Sequence, residues 1–160
     1  MKKTIIFLCL ALFFIGCYDK KIVVHEPLKN ELLAYTSKAE IIDEQNHILI
    51  IATYLNPIYQ SKISINNEEK FLVAVSPKEN AINLTSIKVN NDANTIVARE
   101  LEPSDELLEL TGFNMPWAGY YEISSPTKDS DNLKLTFEIY PSNQVELDFR
   151  KVSKSLYWNP

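Results

Sequence analysis

Glycine, cysteine and histidine are nearly missing from this chain: three glycines, two cysteines and two histidines in 160 residues. No P-loop, G-x-S-x-G elbow or H-E-x-x-H motif occurs. His25 and His47 stand alone, neither with a cysteine or acid at metal-ligand spacing, so no metal site is expected. Positive charge is also short, with 16 basic against 21 acidic residues and a formal net of −5. That balance disfavours nucleic acid and anionic lipid surfaces as partners, because both reward a basic face. No apolar run is long enough to span a bilayer: the longest, Thr4 to Ile15, covers about a dozen residues against the roughly 20 that a crossing helix needs.

What is present begins at the N-terminus. Lys2 and Lys3 precede the apolar run, the layout of a secretory signal peptide over residues 1–16. The run ends in Phe14-Ile15-Gly16-Cys17, which resembles the lipobox of bacterial lipoproteins, with Phe14 where that family usually has Leu. The resemblance implies cleavage before Cys17 and acylation of its thiol, hence a membrane attachment through lipid. Two or three acyl chains hold a protein durably, at about 0.8 kcal/mol per buried methylene. Cys9 would leave with the signal, so no disulfide is expected and the core alone must stabilise the domain. About 140 residues suffice for one such core. In enteric lipoproteins an Asp directly after the cysteine retains the protein in the inner membrane. Here Tyr18 follows and Asp19 comes one place later, which implies a periplasm-facing outer-membrane lipoprotein.

Residues 17–37 mix charges without a period and read as a tether, with "NELLAY" as a docked turn of helix. From about residue 38 to 160 short β-branched and aromatic runs recur at roughly ten-residue intervals, the signature of an all-β sandwich or barrel. In "NLKLTFEIYP" Leu133, Leu135, Phe137 and Ile139 alternate with Lys134, Thr136, Glu138 and Tyr140, and Val145, Leu147 and Phe149 repeat the pattern after "PSN", so a hairpin is expected. "HILIIATYL" and "KFLVAVS" are apolar at nearly every position and suit central strands covered on both faces. In "AINLTSIKV" the apolar parity slips between Leu84 and Ile87, which predicts a bulge near Thr85 or Ser86. With so little glycine, turns fall to Asn and Asp.

"PSDELLELTG" predicts one short helix, with Ser104 as cap, acids in the first turn and Gly112 as terminator. The acids Glu100, Glu102, Asp105 and Glu106 do not have the spacing of a calcium loop. Next comes "GFNMPWAGYYEIS", in which Gly119-x-Tyr121-x-Ile123 is similar to the small-x-Tyr-x-Cys pattern near the sixth strand of immunoglobulin-like domains, with Ile123 where those carry Cys. The resemblance implies an immunoglobulin-like antiparallel β-sandwich of about eight strands, its corner tied by a tyrosine hydroxyl. Glu122 and Glu138 are a carboxylate pair that strand pairing could bring together.

No catalytic constellation and no cofactor are expected. The expected function is a non-catalytic module that holds or assembles another envelope protein through loops or a free strand edge. The alternative is a small-molecule or glycan binder whose platform is Phe113, Met115, Trp117, Tyr120 and Tyr121. The terminal Leu156-Tyr157-Trp158 is expected to fold back over an end or edge of the sandwich.

Overall fold

The computed structural model describes residues 32–42, 47–59, 63 and 65–152. Eight strands are β1 (Thr36–Ile42), β2 (His47–Tyr54), β3 (Glu68–Ser76), β4 (Ile82–Val89), β5 (Val97–Leu101), β6 (Gly119–Pro126), β7 (Asn132–Ile139) and β8 (Asn143–Arg150). Among the described residues two short helices, α1 (Asn56–Tyr59) and α2 (Glu106–Thr111), lie in the connections between strands, where one was expected, in addition to a helical turn at 32–34 ahead of β1. All pairings are antiparallel. They give one sheet in the order β1-β2-β3-β6-β5 and another in the order β4-β7-β8. Set aside β1, and the orders β2-β3-β6-β5 and β4-β7-β8 are those of the constant-type immunoglobulin sandwich. Among the described residues no helix is long and apolar enough to cross a membrane.

The alternating strands behave as their parity requires. Leu133, Leu135, Phe137 and Ile139 of β7 and Val145, Leu147 and Phe149 of β8 are buried, while Tyr140 just beyond is exposed. They meet Ile48, Ile50, Ala52 and Tyr54 of β2 and Phe71, Val73 and Val75 of β3, and the ring of Phe71 stands 5.2 Å from that of Phe149 across the sandwich. The unbroken apolar runs have the reason assigned to them. Leu72 and Ala74 of β3 turn away from the inter-sheet core into a second one, with Leu55 and Tyr59 around α1, Leu107 and Leu108 of α2, Leu101, Ala118 and Tyr120. The five-stranded sheet is thus covered on both faces.

The chain joins this second layer before residue 38. Residues 32–34 are helical, Leu32 is buried there, and β1 starts at Thr36, so the folded domain extends into the stretch read as tether. Cys17 and His25 lie outside the described residues, as does the terminal 156–158 run. The β4 bulge lies where the parity slips but is larger than one residue: five steps from Asn83 to Lys88 face two steps from Glu138 to Thr136. The Ser86 hydroxyl fills the gap, accepting from the Glu138 amide at 2.8 Å and donating to the Asn83 carbonyl at 2.6 Å. Leu84, inside the bulge, is turned out to solvent. Asn67, Asn90 and Asn91 take the positive φ angles that glycine would otherwise supply.

Tyr121 does not occupy the strand that its motif implies. In the observed order β7, not β6, is the sixth strand of the immunoglobulin arrangement, and Tyr121 lies on β6 in the other sheet. Its hydroxyl still ties the sheets, because the backbone amide of Ile82 at the start of β4 donates to it; burial nevertheless holds its pKa above the ordinary phenol value. Glu122 and Glu138 also belong to different sheets and do not meet.

Candidate functional site

One end of the five-stranded sheet is elaborated by the connection from β5 to β6. Asp105, rather than Ser104, caps α2: its carboxylate accepts from the Leu107 amide at 3.0 Å. Gly112 ends the helix with φ 69°, its amide reaching Leu108 O at 2.9 Å. The cap is tied down electrostatically as well. Arg99 of β5 reaches Asp105 at 2.7 Å and Glu122 of β6 at 2.7 Å, and Glu122 continues to Lys70 of β3 at 3.2 Å. The Arg99 hydrogen bond holds the Asp105 carboxyl below its ordinary pKa. This ladder of charges runs across three strands and fixes α2 on the outer face, where Leu107 and Leu108 supply the apolar contact.

The loop after α2 turns at Met115-Pro116-Trp117-Ala118, closed by a 3.0 Å bond from the Ala118 amide to Met115 O, with proline at the position where its fixed φ suits a turn. Two further ties hold it. The Tyr120 hydroxyl accepts from the Met115 amide at 2.6 Å and donates to its carbonyl at 3.3 Å, and the Lys78 amide donates to Trp117 O at 2.9 Å. Trp117 at the tip is nonetheless 60% exposed. Core packing does not explain a large ring held in water by a braced backbone; Tyr140, just beyond β7, is the other exposed large aromatic ring among the described residues.

The five aromatic-loop residues therefore do not form one platform. Tyr120 is buried on the outer face as the brace, Tyr121 is buried between the sheets, and Phe113 and Met115 are half-buried against the outer layer. Only Trp117 presents an open ring. Beside it lies a cleft of about 820 Å³, floored by Leu101, Leu108, Phe113, Met115 and Tyr120 and rimmed by Glu100, Glu102 and Glu109. The linear pattern does not show this cleft, because its floor comes from β5, α2 and the start of β6 together.

A second polar feature sits at the opposite end. Glu69 is 1% exposed, and its carboxylate receives the Tyr54 hydroxyl at 2.6 Å, the Lys128 amide at 2.9 Å and the Lys151 ammonium at 2.7 Å. Burial pushes its pKa up, but the hydrogen bonds from Lys151, Tyr54 and Lys128 outweigh that and leave it below the ordinary value; burial, then the bond to Glu69, raises Tyr54 far above the usual phenol range. The readable signal was parity, since Glu69 shares the inward phase of Phe71, Val73 and Val75. Every acceptor direction of this carboxylate is occupied from within the protein, so it is a structural clamp.

His47 lies 3.1 Å from Glu40 across the β1–β2 hairpin, in solvent. Among the described residues no group of His, Cys, Asp and Glu is arranged to hold a metal ion, the acids at 100–106 included. Comparison with protein-family models, with curated proteins and with solved structures finds no match to this chain.

Proposed function

We propose that this protein is a lipid-anchored lipoprotein of the bacterial envelope, tethered through Cys17, whose sandwich presents the Trp117 turn to another envelope protein. The observation that carries the reading is the braced, solvent-facing Trp117. Tryptophan is the side chain most enriched among residues that dominate binding energy, and a turn already fixed in position loses little entropy when it docks. The lipobox-like FIGC segment, residues 14–17, supports the address.

A small-molecule or glycan binder is the second reading, and the cleft beside the turn favours it. Glycan platforms rely on several accessible ring faces, however, and here Tyr120 and Tyr121 are buried. The protein reading makes fuller use of what is exposed.

The test is a photo-activatable phenylalanine analogue placed at position 117 in the native, lipidated protein, with the same analogue at Tyr140, an exposed ring of the other sheet, as control. A discrete crosslinked protein from position 117 alone supports the reading. Identical, diffuse labelling from both positions contradicts it. Labelling with a radioactive fatty acid that survives in Cys17→Ser would remove the anchor assignment.

A further inference from the structure

Four strand edges are available in the two sheets, and three are blunted. β1, at one end of the five-stranded sheet, lies against β8, at one end of the three-stranded sheet, so these two edges shield each other. The β4 edge is broken by its bulge, a device that prevents a neighbouring strand from pairing in register. β5 remains. It is regular over Val97–Leu101, among the described residues it pairs on one side only, with β6, and its exposed Val97 adds an apolar contact.

This open edge runs straight into the cleft, since Glu100 and Leu101 are both part of the cleft wall. The charges there are also uncompensated. Asp105 is committed to Arg99, yet Glu100, Glu102 and Glu109 have no ion pair among the described residues, and Lys78 alone faces them from the far wall. Some surface acids elsewhere are matched, Asp92 by Lys128 at 2.7 Å, Glu146 by Lys134 and Glu40 by Lys38, and those without an ion pair among the described residues, such as Glu79, Asp129 and Asp148, do not gather around an apolar floor. Carboxylates gathered around an apolar floor repel one another until a cation enters, and an anionic segment would be excluded.

We infer that the cleft and the β5 edge together take an extended peptide segment of the partner that alternates basic and apolar side chains: its backbone pairs with β5, its apolar side chains enter the floor on the side of Leu101, its lysines or arginines on the opposite face meet Glu100, and one beyond the end of β5 reaches Glu102 and Glu109. The inference rests on the interaction reading above and specifies the chemistry of the partner. Strand addition supplies affinity through the main chain, and the acidic rim supplies selection.

The experiment uses the full mature lipoprotein in neutral detergent and three fluorescent synthetic peptides, alternating valine with lysine, with serine or with glutamate. The lysine peptide is expected to bind about tenfold or more tightly than the serine peptide, a difference of about 1.4 kcal/mol, and the glutamate peptide not at all. The triple variant Glu100→Gln, Glu102→Gln, Glu109→Gln should abolish that preference, and the remote pair Glu146→Gln, Asp148→Asn should keep it. Raising the salt should weaken the lysine peptide most. Equal binding of the three peptides, or equal loss in the remote variant, would overturn the inference, as would a dimer of the protein held through β5, which would mean that a second copy occupies the edge. Crosslinking from Trp117 is read separately, so a partner captured there without charge preference in the peptides would remove the basic segment and leave the interaction module standing.

Discussion

The three-stranded sheet meets the core with one face and water with the other, whereas the five-stranded sheet is buried twice, by its partner sheet and by α1, α2 and the Trp117 loop. The first arrangement is self-sufficient: β7 and β8 alternate, and their polar faces carry pairs such as Lys134 with Glu146. The second imports its cover from connections, and connections tolerate change and carry binding surfaces more readily than strands do. The contrast assigns stability to the space between the sheets and recognition to the added layer.

The largest effect should come from the inter-sheet core. Phe137→Ala is expected to cost about 3 to 5 kcal/mol in denaturant unfolding, while Glu138→Ala, its neighbour on the wet face, should stay within about 0.5 kcal/mol. Equal costs would erase the distinction between the faces.

Next in size is the Glu69 clamp. Lys151→Met leaves a buried carboxylate without its cation and should cost about 3 kcal/mol at neutral pH. The sign of the pH dependence follows from the folded state. The Glu69 pKa is depressed below its ordinary 4.5, so its stabilising contribution is complete above that value and is lost as the pH falls through the lower, folded pKa. Denaturant unfolding from pH 7 down to pH 3 should therefore show a steeper acid loss in the wild type than in Lys151→Met. Parallel curves would mean that the clamp is not ionised as described.

The outer layer should respond more mildly and on two readouts. Leu108→Ala is expected to cost about 2 kcal/mol, at the lower end for buried leucine because the layer is open on one side. Tyr120→Phe removes both bonds to Met115 and should cost about 1 kcal/mol while lowering crosslinking from position 117, since the turn loses its brace. Unchanged crosslinking would show that the turn needs no brace.

How far the sequence carries this picture depends on the kind of signal. Periodicity gave β7 and β8 residue by residue, and unbroken apolarity in 47–55 and 70–76 gave the double burial of β2 and β3, because side-chain direction in a strand follows from parity alone. Gly112 and the acids before it marked α2, although the cap moved from Ser104 to Asp105, a choice made by the distant Arg99. The slip in β4 was visible in position but not in extent, because its size is set by how Ser86 fits against β7. The cleft was invisible, since its walls come from segments that only the fold brings together. The tyrosine motif misled on the strand, because a tyrosine can tie a corner from either sheet.

The most direct test joins both halves of the comparison in one variant, Trp117→Ala, measured for unfolding free energy and for partner capture by a photo-crosslinker at the neighbouring Asn114. The account predicts a stability within about 0.5 kcal/mol of the wild type and a capture yield reduced to background. A variant that loses stability while capture persists would contradict it, and would place Trp117 in the core and the recognition surface elsewhere.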